Sequence, residues 1–247
     1  DIFNPKKENW EELHGDIEFR DVTFKYPDGD EYVLEHFNLK VPKGTNVAIV
    51  GETGAGKSTL VNLVCRFFEP TKGQVLIDGR DAKERSGQWL HSNIGYVLQS
   101  PHLFSGTIRD NLKYGKPDAT DDEIMAALEL VSATAVVEKM EKGLDSEVGE
   151  GGDLLSTGEK QLISFARAII AKPKILVLDE ATSSIDTVTE KIIQDAIEKV
   201  ITGRTSFVIA HRLSTIVNAD VILVVKDGKI IEQGRHKDCL LYTSDAA

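Results

Sequence analysis

The sequence predicts an α/β protein with a mostly parallel sheet at its core, an antiparallel start and a helical insertion. Short continuous apolar runs at residues 47–50, 175–178 and 207–210 are typical of strands buried on both faces. Apolar and polar residues alternate between residues 17 and 26, which indicates half-buried strands near the start. Helical periodicity between residues 121 and 140 indicates the insertion.

The first part of the chain is predicted to hold short strands followed by one helix. The apolar parity changes between residues 17–19 and 22–26, so the sequence predicts either a bulge or two short strands there. Pro27-Asp28-Gly29 predicts a turn. The buried strand at 47–50 leads into a helix predicted from about residue 57 to residue 68, with Cys65 as a small core residue.

The second part alternates helices and strands. Three acidic residues at 121–123 favour a helix N-terminus, and one helix is predicted over residues 121–140. A second helix is predicted over residues 157–171, before Pro173. The buried strands at 175–178 and 207–210 follow, and a hairpin around Asp227-Gly228 is predicted to close the fold.

The composition limits the classes of function. Among 247 residues, 29 Lys and Arg stand against 40 Asp and Glu, and the net charge of -11 argues against a nucleic-acid partner. The sequence has no run of 18 apolar residues, the length that a membrane span requires. The 2 cysteines are too few for a disulfide framework and indicate a reducing compartment.

Both ends of the chain are predicted to lie outside the folded domain. The chain starts with Asp1 rather than Met, so we expect it to be part of a longer protein, with residues 1–15 as a linker. Residues 239–247 follow no pattern set by the hairpin and resemble a translated sequencing adapter, which predicts a non-native tail without function. The alternative is a genuine disordered tail.

A phosphate-binding loop is the strongest chemical signal. Residues 51–58 match the pattern GxxxxGK[ST] between a predicted strand and a predicted helix. Backbone N–H groups of such a loop wrap phosphates, the lysine reaches the β- and γ-phosphates, and the hydroxyl binds Mg²⁺. The alternative is a glycine-rich strand–helix turn. The predicted nucleotide-binding residues of the loop are Gly51, Thr53, Gly54, Ala55, Gly56, Lys57, Ser58 and Thr59.

Two carboxylates follow the apolar strand at 175–178. Asp179 is predicted to hold Mg²⁺ through water, and Glu180 to polarise an attacking water molecule. The alternative is that one of the two acids caps the next helix. Next to an intact phosphate loop, we favour the catalytic interpretation.

These motifs, in this order, resemble the nucleotide-binding domain of an ATP-binding-cassette (ABC) transporter of the exporter type, over nearly all of residues 1–238. The resemblance implies an ABC ATPase domain at 16–238, with a P-loop NTPase (RecA-like) core, an antiparallel β subdomain and an inserted α-helical subdomain at about 100–165. It also implies an adenine-stacking role for Tyr26 and catalytic roles for Gln99 and His211, beside Glu180.

The resemblance assigns the remaining segments as well. Residues 147–150 resemble the exporter loop that contacts the membrane domain, and Ser184 and Asp186 fall in the loop that crosses the dimer interface. The implied Mg²⁺ ligands are Ser58, Gln99 and Asp179. Taken singly, Tyr26 could be a strand-end aromatic residue, Gln99 a surface polar residue and His211 a helix-start residue.

The signature motif departs from the family pattern LSGGQ at two positions. The chain reads Leu155, Ser156, Thr157, Gly158 and Glu159, so Thr and Glu replace Gly and Gln. Ser156 and Glu159 also form the pattern of a helix capping box, which can coexist with anion binding. Because Glu159 adds a negative charge, Lys160 or the capping geometry is expected to offset it.

The resemblance implies a mechanism and partners. Two such domains bind head to tail and enclose two ATP molecules between a phosphate loop and the opposite signature, and closure moves the membrane domains. The expected partners are a second nucleotide-binding domain and a transmembrane domain of the same full-length chain. The expected cofactors are ATP and Mg²⁺, and the expected location is the cytoplasmic face of a bacterial plasma membrane.

Three other functions are compatible with a cassette sequence. A non-transport cassette ATPase is disfavoured because no sustained heptad pattern occurs between Gln99 and Ser156. A regulatory cassette that binds ATP with little hydrolysis is favoured mildly by the altered signature and disfavoured by Glu180 and His211. An importer subunit is disfavoured by the linker-like start and the loop at 147–150.

Overall fold

A computed structural model of the chain describes residues 11–51, 56–97, 102–180, 186–226 and 229–234. The strands are β1 (Ile17–Phe24), β2 (Leu34–Val41), β3 (Asn46–Gly51), β4 (Lys72–Ile77), β5 (Arg80–Asp81), β6 (Ile94–Val97), β7 (Ile175–Asp179), β8 (Thr205–Ile209), β9 (Val221–Lys226) and β10 (Lys229–Gly234). The helices are α1 (Gly56–Val64), α2 (Gly87–Ser92), α3 (Ile108–Gly115), α4 (Asp121–Leu130), α5 (Thr134–Glu138), α6 (Thr157–Ile169), α7 (Thr187–Ile201) and α8 (Leu213–Val217).

The chain divides into two compact units. Unit 1 consists of residues 1–94, 174–177 and 203–247, and unit 2 consists of residues 95–173 and 178–202. The helices α3, α4, α5, α6 and α7 lie in unit 2, which also contains the predicted helical subdomain at 100–165. None of the helices in the described ranges has both the length and the apolar character of a membrane span.

An antiparallel sheet in unit 1 has the strand order β2-β1-β4-β5. Phe19 of β1 pairs with Leu39 on one side and with Val75 on the other, and the register then shifts before Val22. Asp21, inside the shift, has a φ of 50°. The parity change in the sequence therefore reflects a bulge within one strand.

The second sheet has the order β10-β9-β3-β8-β7-β6. Its strand β3 is parallel to both β8 and β9, and β10 pairs with β9 in an antiparallel hairpin. The predicted parallel core and closing hairpin are confirmed, while the hairpin turn at 227–228 lies outside the described residues.

The hydrophobic core of unit 1 contains side chains from both sheets and from α1. Leu60 and Leu63 of α1 are buried in it, and so is Cys65, as predicted. Burial raises the pKa of the Cys65 thiol to about 12. Leu13 is also part of this core, although it falls in the predicted linker at 1–15, so the last residues of that segment pack on the domain.

Two predicted helices end earlier than their periodicity indicates. α1 ends at Val64, where Arg66 has a φ of 57° and the N–H of Phe67 donates to the Asn62 carbonyl at 2.9 Å. The single helix predicted over 121–140 is wrong, because Ser132 has a φ of 59° and separates α4 from α5. Both ends use a left-handed residue that is not glycine, so the usual stop signal is missing from the sequence.

Candidate functional site

Gly51 ends β3 at the start of the predicted phosphate loop. It pairs with Val225 of β9 and has a φ of 147°. A Cβ atom at this position would lie 2.0 Å from the Val225 carbonyl oxygen, so the neighbouring strand leaves room only for glycine. The predicted loop residues Thr53, Gly54 and Ala55 lie outside the described residues.

The first turn of α1 holds the other predicted residues of the loop. Gly56 begins the helix, Lys57 is 6% exposed, Ser58 is half-buried and Thr59 is buried. The first backbone N–H groups of a helix have no partner within the helix, and the helix dipole favours an anion there. A lysine at the same place adds a full positive charge, so this turn suits a phosphate group.

Tyr26 is fixed beside the same helix. Its hydroxyl lies 3.1 Å from the Thr59 hydroxyl, and Asn62 Nδ2 donates to it at 3.1 Å. The rings of Phe24 and Phe68 meet the Tyr26 ring edge to face, at centroid distances of 4.9 Å and 5.0 Å. These contacts set the orientation of the half-buried ring, which an adenine-stacking role would need. The stacking itself stays a prediction.

His211 lies at the same sheet edge as Gly51. Ile49 of β3 pairs with Ile209 of the parallel strand β8, and the N–H of Ala210 donates to the Ile49 carbonyl at 2.9 Å. Because the strands are parallel, Gly51, the last residue of β3, and His211 both lie at the carboxyl edge of the sheet, two residues beyond that pair. This is the edge at which ligands of open α/β sheets bind.

The carboxylates predicted to be catalytic follow β7. Asp179 is the last residue of the strand and is half-buried, whereas Glu180 is 2% exposed. Gln194 Nε2 of α7 donates to Glu180 Oε1 at 3.0 Å. A buried carboxylate requires such donors. The third predicted catalytic residue, Gln99, lies outside the described residues.

The signature segment forms the N-terminus of α6. The capping box is confirmed: the N–H of Glu159 donates to Ser156 Oγ at 3.2 Å, and the N–H of Ser156 donates to Glu159 Oε1 at 2.9 Å. Leu155 is buried, whereas Thr157 is exposed. Gly158 packs so closely on α7 that a Cβ atom there would lie 2.3 Å from Thr189 Cγ2.

Lys139, at the end of α5, forms an ion pair with Glu159 Oε2. Burial raises the pKa of the Glu159 carboxyl, but the hydrogen bonds from Lys139 and from the Ser156 N–H outweigh it. The pKa therefore lies below its ordinary value, and Glu159 is ionised at neutral pH. Lys139 and the capping geometry offset the negative charge of Glu159. The sequence had predicted Lys160 or the capping geometry for this role.

The predicted interface loop is described only at its end. Asp186 caps α7, since its Oδ2 accepts a hydrogen bond from the N–H of Thr189 at 3.0 Å. The hydrogen bonds from Thr189 lower the pKa of the Asp186 carboxyl. Ser184 lies outside the described residues.

Exposed aromatic side chains lie next to the predicted exporter loop at 147–150. The N–H of Val148 donates to the Gly106 carbonyl at 2.9 Å, which ties the loop to the segment before α3. Phe104 precedes that segment, and Tyr114 lies in the last turn of α3. Their ring centroids are 4.1 Å apart, and they are 38% and 67% exposed. An exposed aromatic pair of this kind is typical of a protein–protein contact.

The predicted Mg²⁺ ligands fit the metal by donor type. Ser58 supplies a hydroxyl oxygen in unit 1 and Asp179 a carboxylate oxygen in unit 2, and Mg²⁺ prefers such oxygen ligands. Within the described ranges, no group of three or more His, Cys, Asp and Glu side chains is arranged to hold a metal. The prediction of a Mg²⁺ site therefore depends on the donor chemistry of Ser58 and Asp179.

Asn62, Gln194 and Lys139 were not predicted from the sequence as parts of the site. Asn62 follows Thr59 by three residues, so the two share one face of α1, and an amide on this largely apolar helix is a usable signal. Gln194 likewise borders the buried stripe of α7, next to Ile193. Lys139 is an exposed lysine near a helix end, and the sequence carries no signal for it.

The chain is similar to known proteins of one family. The family model described as "ABC transporter" matches residues 34–183. The chain is 47% identical, over 97% of its length, to the uncharacterized ABC transporter ATP-binding protein YfiC of Bacillus subtilis. It is 52% identical, over 92% of its length, to the probable multidrug resistance ABC transporter ATP-binding/permease protein YheH of the same organism.

Eukaryotic proteins are similar as well. ABC transporter B family member 2 of Dictyostelium discoideum is 47% identical over 97% of the chain. The chain covers only 41% of YfiC, 33% of YheH and 17% of the Dictyostelium protein. It therefore spans less than half the length of the curated relatives that it matches.

Proposed function

Because the chain belongs to the ABC transporter family, we propose that it is the nucleotide-binding domain of an exporter, in which ATP hydrolysis drives the transport of a substrate across a membrane. The resemblance to this family and the predicted ATPase class are confirmed by the family match and by relatives named as ATP-binding proteins. The observation that carries the proposal is the buried Lys57 in the first turn of α1, within a complete phosphate-loop sequence.

ATP binding is assigned to unit 1. Lys57 and the N-terminus of α1 bind the β- and γ-phosphates, and Tyr26 stacks on adenine with its ring held by Thr59 and Asn62. Ser58 and Asp179 would hold Mg²⁺, with Gln99 as a third ligand. When bound, the ion neutralises charge on the phosphates.

Hydrolysis is assigned to Glu180, His211 and Gln99. The Glu180 carboxylate accepts a proton from the attacking water, and its burial supports this role because few water molecules compete for it. His211 leaves the carboxyl edge of the sheet beside Gly51, a position from which it can contact the γ-phosphate. Gln99 orients the attacking water.

A second nucleotide-binding domain completes each site. The N-terminus of α6, with Leu155, Ser156, Thr157, Gly158 and Glu159, faces the γ-phosphate on the partner domain. Ser184 and Asp186 lie at the head-to-tail interface, and the capping of α7 by Asp186 supports an ordered start of that helix there. The partner is either a second copy of this chain or a related chain.

A transmembrane domain of the same longer protein is the second partner. The exposed pair Phe104 and Tyr114, beside residues 147–150, supports a docking surface for it. The relative YheH is named as both ATP-binding and permease protein. We therefore place the chain at the cytoplasmic face of a plasma membrane. A bacterial source stays a prediction, since the relatives include the eukaryotic protein from Dictyostelium discoideum.

The alternative is a regulatory cassette that binds ATP with little hydrolysis, and Glu159 in the signature favours it. The two proposals differ in turnover by the wild-type chain: the first requires phosphate release that depends on Glu180, and the second requires ATP binding with almost none.

Substitution of Glu180 tests the first proposal. Glu180→Gln should keep ATP affinity, lower phosphate release by about 100-fold or more, and accumulate ATP-bound dimers that size-exclusion chromatography detects. Glu129→Gln, the same change at an exposed residue of α4, is the control and should hydrolyse ATP like the wild type. Unchanged phosphate release by Glu180→Gln would remove Glu180 from the mechanism.

A further inference from the structure

The amide of Gln194 donates a hydrogen bond to the buried carboxylate of Glu180. Its Nε2 lies 3.0 Å from Glu180 Oε1, and both residues belong to unit 2. Glu180 follows β7 directly, outside the hydrogen-bonded strand, so the strand alone does not fix the direction of its side chain. A glutamate side chain has three rotatable bonds, and a hydrogen bond to one oxygen selects among its rotamers.

The chemistry of the donor matters as much as its position. An amide orients the carboxylate and satisfies one oxygen without adding a positive charge. Gln194 is held on α7, which begins at Thr187 with the cap of Asp186, about two helical turns away.

We propose that Gln194 is a positioning residue, which holds the Glu180 carboxylate in the orientation that accepts the proton of the attacking water. This inference rests on the proposed role of Glu180 as the general base. Gln194 touches neither ATP nor water in this proposal and acts through Glu180 alone. Its loss should therefore lower kcat and leave the KM for ATP unchanged, because ATP binding does not involve it.

Two variants of the whole chain test the proposal. Gln194→Leu removes the donor at similar volume, and Gln194→Glu keeps the length but places a second carboxylate against Glu180. Gln194→Leu should lower kcat roughly 10- to 100-fold, the value of a hydrogen bond to a charged group, and Gln194→Glu at least as much. The control Lys191→Leu, at an exposed position of the same helix, should keep the wild-type kcat.

Combining the Gln194 substitutions with Glu180→Gln separates a positioning role of Gln194 from a purely structural effect. In the Glu180→Gln background, Gln194→Leu should change residual hydrolysis by less than about twofold, since the group that it orients is already lost. An equal fold-loss in both backgrounds, a raised KM, or a wild-type kcat in Gln194→Leu or Gln194→Glu would overturn the proposal. If Gln194→Leu does not fold, the Gln194→Glu result decides. Normal hydrolysis by Glu180→Gln alone would instead overturn the role of Glu180.

Discussion

The first turns of α1 and α6 are both assigned to phosphate binding, yet they carry opposite charges. The first turn of α1 has no acidic residue and contains Lys57, whereas that of α6 contains Glu159. α1 therefore supplies positive charge from its own sequence. α6 needs Lys139, from another helix, to offset the carboxylate. In the proposed ATP site, the signature half therefore depends on a tertiary contact, and the phosphate-loop half on local sequence.

Removal of the Lys57 charge from α1 should have the largest effect, and this effect should be on ATP affinity. Lys57→Ala should weaken ATP binding by roughly 10- to 100-fold, because a hydrogen bond between charged groups is lost. Calorimetric titration of the single chain with ATP measures this. Lys139→Ala is the matched control and should leave the affinity unchanged, since the proposed role of α6 is to bind the nucleotide of a partner domain. Equal affinities of Lys57→Ala and the wild type would remove Lys57 from the site.

Two substitutions of Tyr26 separate the contribution of its ring to ATP binding from that of its hydroxyl. Tyr26→Ala should weaken ATP binding by about 1–3 kcal/mol, the usual value of base–aromatic stacking. Tyr26→Phe should keep the affinity but lower the free energy of unfolding by about 1 kcal/mol, because Thr59 and Asn62 lose their hydroxyl partner. An affinity loss in Tyr26→Phe as large as that in Tyr26→Ala would contradict stacking.

At α6, the rate of ATP hydrolysis should depend on the ion pair between Lys139 and Glu159. Lys139→Ala should lower kcat about two- to fivefold, the range of an exposed ion pair, and the loss should shrink at high salt. Glu159→Gln alone should leave kcat equal or raise it. The double variant should then match Glu159→Gln. A double variant as slow as Lys139→Ala would show that Lys139 acts elsewhere, and a large loss in Glu159→Gln would mean that the carboxylate is required.

The smallest expected effect is on stability at low pH. The folded pKa of Glu159 lies below its ordinary value of 4.5, so the ionised form stabilises the fold above that pH. This contribution, less than about 1 kcal/mol, should be lost as the pH falls through the folded pKa. Urea unfolding of the wild type and Glu159→Gln should show the wild type more stable at neutral pH, and a smaller difference near pH 3. A difference independent of pH would contradict the ion pair.

The chemistry of the site was predictable where it is local. The start of α1 at Gly56, the strand that ends in Asp179 and the capping box of α6 are short patterns in which neighbouring residues determine the structure. The bulge near Asp21 was visible as a parity change, although the sequence did not distinguish it from two strands.

What the sequence did not predict depends on contacts between distant residues. Lys139 meets Glu159 from 20 positions away and Gln194 meets Glu180 from 14, and no spacing rule connects such pairs. The early end of α1 depends on Arg66 in a conformation that its residue type disfavours, which the surrounding packing must stabilise. Leu13 was included in the predicted linker because nothing in its sequence neighbourhood indicates a core residue. Its burial is visible only in the structure.

The close approach of α6 and α7 at Gly158 explains which signature positions this chain has changed. Any side chain at 158 would collide with Thr189, so the glycine is demanded by packing whether or not a nucleotide is present. Position 157 faces solvent, and position 159 has a lysine within reach, so both accept larger or charged residues. The packing of α7 against α6 thus determines which positions of the motif tolerate substitution. Loss of activity in a variant at position 158 would therefore indicate disturbed helix packing before it indicates a lost nucleotide contact.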